Sequence, residues 1–164
     1  MRPKRIAPRA GQESVWDYPR PPRVERVSRR VRIALGGTVI FDSDDVVRVL
    51  ETSHPPAYYL RIDDFAPGAL APAPGSSFCE FKGRARYLDV RGGRAVAAAA
   101  AWNYPDPSSG FEILVDRVAL YPGHMDRCTV DGVDVTPQPG GFYGGWITPE
   151  IVGPFKGGPG SMGW

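Results

Sequence analysis

SSFCEFKGRARYLDVRGGRAVAAAAAWNY, residues 76–104, decides the fold. It opens by alternation: Phe78, Glu80 and Lys82 are each one residue apart, with Cys79 and Phe81 between them. Gly83 breaks the run, and a second extended segment passes through Tyr87, Leu88 and Val90. Arg91-Gly92-Gly93-Arg94 then turns the chain into a third run ending on Trp102 and Tyr104. Period-two patterning with a Gly-Gly turn predicts antiparallel strands joined by a hairpin. The alternation puts Glu80 and Lys82 on one face. That face either meets solvent or lines a pocket.

Outside this stretch the same grammar recurs. Val31–Leu35 and Thr38–Phe41 flank Gly36-Gly37 and read as a hairpin. Val46–Leu50 is rich in β-branched residues and reads as a strand. Arg117–Tyr121, Arg127–Val130 and Val133–Val135 are three further extended runs, and a short helical turn is expected within Ile62–Leu70. Residues 71–76 read as a loop. With few helix caps and no alternating helix pattern, the expectation is a mainly β, antiparallel domain.

The 164 residues, with 42% hydrophobic content, suit one globular domain able to bury a core without staples. Twenty Gly and eighteen Pro favour turns over long helices. Residues 1–12 read as a disordered basic tail, 13–30 as an N-terminal arm, 31–136 as the β core and 137–164 as a C-terminal arm. Trp16, Tyr18, Phe142, Tyr143, Trp146 and Trp164 should pin the two arms to the core. The formal charge of +2 is uneven: residues 1–30 carry a net +6 and the rest a net −4. An acidic body makes nucleic acid an unlikely partner, since such binding needs a basic face interleaved with aromatics. No apolar run is long enough for a membrane span, and the basic start lacks an apolar segment of the secretory kind. Cys79 and Cys128 form no CxxC pair, so no metal site is expected. Two free thiols in a cytoplasmic protein is the plainer reading, the alternative being a Cys79–Cys128 disulfide.

The chemistry-bearing residues gather in two places. Glu51-Thr-Ser-His-Pro-Pro-Ala-Tyr-Tyr-Leu60 packs a carboxylate, an imidazole and two phenols into a few positions. Residues 76–104 add Glu80, Lys82, Tyr87, Trp102 and Tyr104. In a cleft, Glu51 or Glu80 would act as general acid or base, and Lys82 would hold an anion or stabilise developing negative charge. His54, Tyr58, Tyr59, Tyr87, Trp102 and Tyr104 would bind the ligand. The bland counterpart is a solvated Glu80–Lys82 pair worth well under about 1 kcal/mol, a polar loop histidine, and aromatic packing. Cys79 is a core thiol if Glu80 faces the pocket, and a candidate nucleophile if the faces are reversed. No cofactor is called for. An aromatic cage of Trp16, Tyr18, Trp102, Tyr104, Tyr143 and Trp146 for a flat or cationic ligand, without turnover, is a second class of function, and a structural or partner-binding protein a third.

Six ordered segments carry a resemblance: SVWDYPRPP, LETSHPPAYYL, FCEFKGRARYLDV, AAWNYPDP, ALYPGHMDRCTVDG and PQPGGFYGGWITPEIVGPFKGGPG. Over residues 13–164 the chain resembles the domain of unknown function 427 family, which some catalogues label a nucleotidyltransferase. The resemblance implies a small β-tent domain, the topology of methionine sulfoxide reductase B and of cereblon's drug-binding domain. Those proteins hold zinc with two CxxC pairs, which this chain lacks, so the metal does not carry over. Nucleotidyl transfer would ask for paired carboxylates or a glycine-rich phosphate cradle opening a helix. Asp42-Ser-Asp-Asp45 and Asp63-Asp64 are the acidic runs, both in turn-like sequence, and Gly157-Gly158-Pro159-Gly160 lies in a proline-rich tail.

Overall fold

The computed structural model describes residues 2–164. In chain order its strands are β1 (Glu13–Ser14), β2 (Arg23–Val27), β3 (Val31–Leu35), β4 (Thr38–Ser43), β5 (Val46–Leu50), β6 (Ala57–Arg61), β7 (Leu70–Cys79), β8 (Gly83–Gly92), β9 (Ala95–Asn103), β10 (Arg117–Leu120), β11 (Arg127–Val130), β12 (Val133–Asp134), β13 (Thr136–Pro137), β14 (Trp146–Ile147) and β15 (Ile151–Val152). Four short 3₁₀ turns punctuate them. Seven strands form one antiparallel sheet in the order β2-β5-β6-β10-β9-β8-β7. Four form a second, β12-β11-β3-β4. Neither sheet closes on itself, so the domain is mainly β and tent-like rather than a barrel.

Alternation explains the layering. On β5, β6 and β10, Val46, Tyr58, Leu60, Val118 and Leu120 face the smaller sheet and pack with Val31, Ile33, Phe41, Cys128 and Val130. Their neighbours Val47, Val49, Tyr59 and Ala119 point the other way, into a second apolar cluster with Tyr104 and Leu114. The central strands are therefore apolar on both faces, like the covered strands of a three-layer domain. The hairpin turn of β3–β4 abuts the turn of β8–β9 so closely that a Cβ on Gly36 would sit 1.9 Å from the Gly92 carbonyl oxygen. Only glycine fits at Gly36, Gly92 and Gly93, whereas at Gly37 the space is open and the backbone at φ 76° favours glycine.

Three expectations are corrected. Residues 71–76, read as a loop, belong to β7, whose register slips between Pro72 and Ser76; the prolines are tolerated because β7 is the sheet's edge strand. The first extended run stops at Cys79, and Glu80-Phe81-Lys82 is the turn into β8. Gly83, read as a break between strands, opens β8 in left-handed backbone at φ 107°.

Both arms lie on the domain, but the N-terminal one stops short of residue 30: Arg23–Val27, read as part of it, is β2, an edge strand of the seven-stranded sheet. Trp146 is fully buried, stacks 5.0 Å from Tyr58 and donates its backbone N–H to Pro56 O at 2.8 Å. Trp16 donates from Nε1 to Pro154 O at 2.9 Å, and β1 pairs with β15. The segment expected as a disordered tail over 1–12 is tied to these arms from Arg5 onward; Met1 lies outside the described residues. Ile6 N–H donates to Gly153 O at 3.1 Å, Gln12 Nε2 to Pro149 O at 2.9 Å, and the Arg5 guanidinium stands 5.8 Å over Trp16. The C-terminal arm supplies acceptors that a fraying end would otherwise lack.

Candidate functional site

One face of the seven-stranded sheet carries a cavity of about 460 Å³. Strand parity builds it. On β5 and beyond, the parity of Val47 and Val49 carries through to Glu51; on β6 it selects Tyr59; on β8 and β9 it selects Tyr87, Trp102 and Tyr104. Cys79 closes β7, and Lys82 enters from the turn that follows. The C-terminal arm forms the opposite wall with Gln138, Phe142, Tyr143 and Lys156.

Of the residues singled out from sequence, Glu51, His54, Tyr59, Lys82, Tyr87, Trp102 and Tyr104 meet in this cavity. Two do not. Glu80 is exposed in the β7–β8 turn, because the strand ends one residue before it and the alternation stops there. Tyr58 is buried among the core residues against Trp146. Adjacent residues on a strand face opposite sides, so Tyr58 and Tyr59 were never able to share a pocket. Cys79 takes the face that had been given to Glu80. It is a free thiol on the cavity wall.

Lys82 is the cation of the site. Its ammonium lies 5.8 Å over the Tyr104 ring, and among the described residues no carboxylate comes within 4.0 Å of it. Burial works against its charge, but the neighbouring Tyr59, Cys79 and Glu51 and a hydrogen bond with the Cys79 sulfur outweigh that, and its pKa stands above the ordinary lysine value. Burial pushes the Tyr59 and Tyr104 phenols up, so both stay protonated. Trp102 Nε1 donates to Tyr59 Oη at 3.2 Å, which fixes the indole as a flat wall.

His54 is held as a neutral ring. Burial, then the positive charges of Lys156, Arg20 and Lys82, lower its pKa to about 4. It stands in a tight turn in which Ser53 is buried in left-handed backbone at φ 72°. That strained residue is held by both arms: Ser53 N–H donates to Val15 O at 3.1 Å, and Lys156 N–H donates to Ser53 O at 2.9 Å. Glu51, on the other side of the turn, lies 3.6 Å from Arg20 Nε and 3.8 Å from His54 Nε2. It is the only carboxylate among the described residues lining the cavity.

The cavity thus combines a cationic floor, aromatic sides, one carboxylate and one imidazole N–H. A planar or apolar body fits between the rings, and an anionic group fits on Lys82. Sequence reasoning missed Gln138, Phe142 and Lys156 of the wall built by the arm; of the cage aromatics proposed from sequence, Trp102, Tyr104 and Tyr143 line the cavity, whereas Trp16, Tyr18 and Trp146 are buried in apolar clusters. The signal for the rest was the aromatic-glycine run Gly140-Gly-Phe-Tyr-Gly-Gly-Trp146, read as an anchor apart from the cage role given to Tyr143 and Trp146.

The acidic runs lie elsewhere. Asp42 pairs with Arg30 at 2.6 Å, Asp45 with the buried Arg117 at 2.8 Å, and Asp64 accepts from the Ser43 hydroxyl at 2.8 Å. Among the described residues no three His, Cys, Asp or Glu side chains gather around a common point. Among the described residues no helix is long and apolar enough to cross a membrane. No curated protein matches the chain. The model of one family, described as Domain of unknown function (DUF427), matches residues 23–131. That span runs from β2 to just past β11 and contains the floor of the cavity from Glu51 to Tyr121, while the wall from Gln138 to Lys156 lies beyond it. With most of its sheet structure inside the match, the chain belongs to the DUF427 family.

Proposed function

We propose that the protein binds a small organic anion with a flat or apolar body in the cavity over Lys82. The observation that carries this reading is the Lys82 ammonium, half-buried among aromatic rings, with Glu51 the one carboxylate of the cavity's described lining and no carboxylate within 4.0 Å of it among the described residues. Lys156 lines the same cavity, 5.8 Å over the Tyr143 ring. A cationic ligand would meet both ammonium groups, so the aromatic-cage alternative is turned towards anions. Any acid–base chemistry would fall to Glu51, with His54 Nε2–H and Lys82 as donors to developing negative charge. The acid–base role first given to Glu80 is dropped.

The family model carries a nucleotidyl-transfer label. A nucleotide's phosphates would suit Lys82 and Lys156, and its base the rings. The geometry favours this less as a transferase than as a ligand class, because the acidic runs that would hold metal ions are engaged by arginines away from the cavity. The free Cys79 and the core thiol Cys128, pushed up to about 12 by burial, fit a reducing cytoplasm.

The test is a thermal-shift screen of the purified protein against organic anions, nucleotides and matched neutral analogues. Ligands of the native state raise Tm as their concentration passes Kd. Anions should stabilise wild type and Glu80→Gln alike, with the shift lost in Lys82→Met and weakened by salt. Equal shifts from neutral analogues, or retention in Lys82→Met, would sink the proposal.

A further inference from the structure

The polarity of this cavity runs backwards. Small-molecule sites are commonly apolar within and polar at the rim. Here the ammonium of Lys82 lies inside, while two phenylalanines border the cavity and still expose about three quarters of their surface, Phe78 at 74% and Phe142 at 75%. A residue that both lines a cavity and stays that exposed stands at its mouth. They come from separate elements, the edge strand β7 and the C-terminal arm, and each is held in place. Phe78 is paired with Arg84 across the β7–β8 ladder. The Phe142 carbonyl accepts from Tyr121 Oη at 3.2 Å, and its ring meets Tyr143 edge-on at 4.9 Å.

From this gradient we infer that the ligand is an amphiphilic anion, entering head first. The carboxylate or phosphate lies at Lys82, the middle between Tyr59, Trp102 and Tyr104, and an apolar tail leaves the cavity across Phe78 and Phe142. This rests on the anion-site reading above and adds the class of molecule. Exposed apolar surface on two separate elements bordering one cavity lies uncovered among the described residues, and a tail of this kind would cover it. A compact anion, such as a short dicarboxylate, would satisfy Lys82 and leave both rings bare.

The experiment is isothermal titration of the full chain with monomeric straight-chain carboxylates of two to ten carbons, the matching alkyl phosphates and the matching alcohols. All are kept below micelle concentrations at fixed ionic strength. Affinity should rise about fourfold per methylene once the chain reaches the mouth. Phe78→Ser and Phe142→Ser should flatten that rise and leave the shortest anion's Kd unchanged; both sites are exposed, and unchanged Tm confirms the fold. The preferred head is whichever series binds tighter at equal length. A length dependence that both serine variants retain, or no length dependence at all, overturns the amphiphile while leaving the anion site standing. Alcohols binding as tightly as the anions, or anions indifferent to Lys82→Met, overturn the underlying site. Binding to phosphatidylglycerol vesicles with none to the monomeric series would assign the rim to a membrane surface and also overturn the proposal.

Discussion

Gln138 Nε2 lies 3.1 Å from His54 Nδ1, and this contact sets the character of the imidazole. The amide has one possible orientation. Its Oε1 accepts the Gly145 N–H at 3.0 Å, so its NH₂ must face Lys156 O, 2.8 Å away, and His54. His54 Nδ1 is therefore the acceptor, and the ring proton sits on Nε2, turned to the Glu51 side of the cavity. The lone pair that a general base would need is already used. His54 is a hydrogen-bond donor to the cavity.

The first prediction is a pH dependence. The folded pKa of about 4 lies below the ordinary 6.5, so the unfolded chain takes up the proton first. Stability from this group is complete above about pH 6.5, falls as pH drops towards 4, and falls no further below that. The shift corresponds to a loss of up to about 3 kcal/mol. Urea melts between pH 7 and 4 should show a steeper decline for wild type than for His54→Asn, whose Oδ1 keeps the acceptor. An imidazole NMR midpoint near 6.5, or an Nδ1–H tautomer, would overturn this.

Gln138 itself gives the second. Gln138→Leu leaves the Gly145 N–H and the Lys156 carbonyl without their partner in a buried setting. The cost should be roughly 2–4 kcal/mol in denaturant melts. Gln138→Glu acts differently: a carboxylate beside Nδ1 favours the protonated ring, so the His54 midpoint should move up from about 4. An unmoved midpoint would mean that the contact does not govern the ring.

How much of this was legible beforehand turns on where alternation holds. The β8–β9 and β3–β4 hairpins follow from extended runs joined by Gly-Gly turns, and β5, buried on both faces, from its β-branched run. Alternation, carried past Cys79, put Glu80 in the pocket. Nothing in the alternation of Phe78, Glu80 and Lys82 marks the last ladder pair, Cys79 with Gly83. Lys82 reached the cavity through the turn, for a reason other than the one that selected it. Gln138 and Lys156 belong to an arm without periodicity, whose path depends on where Trp146 finds a hole between Tyr58 and Leu120. Long-range packing of that kind leaves no local pattern to read.

The third prediction concerns the opposite end of the sheet. Arg117, with a side chain 3% exposed, donates to Asp45 Oδ1 at 2.8 Å and to the Asp45 carbonyl at 3.0 Å. That hydrogen bond, despite some opposing burial, holds the Asp45 carboxyl below its ordinary range, with Arg61 adding to it. Asp45→Asn removes the charge facing the buried guanidinium but keeps acceptors in place, and the residue 45 side chain is 37% exposed, so it should cost roughly 1–2 kcal/mol. Arg61→Ala removes only a partly exposed partner at 3.2 Å and should cost under about 1 kcal/mol. The carboxylate's contribution is present above its ordinary pKa of 3.8 and is lost as pH falls through the lowered folded value. Equal losses for the two variants in chemical denaturation would refute the buried-pair account.

The last prediction tests whether the C-terminal arm shapes the cavity or merely covers it. Gly144 rests on the Trp102 ring, and a Cβ there would sit 2.2 Å from Cη2 of the indole. Its backbone lies outside the left-handed region, so space rather than conformation demands glycine. Gly144→Ala must push the indole, the arm or both, at a cost of about 1–3 kcal/mol. Because Trp102 Nε1 is tied to Tyr59 Oη, a displaced indole also disturbs the wall beside Lys82. The variant should show a shifted tryptophan emission, a lower Tm and weaker anion binding. Gly158→Ala, where an added Cβ meets nothing within 4 Å, is the control and should leave all three unchanged. If Gly144→Ala lowers Tm but binds anions as wild type does, the arm covers the cavity without shaping it.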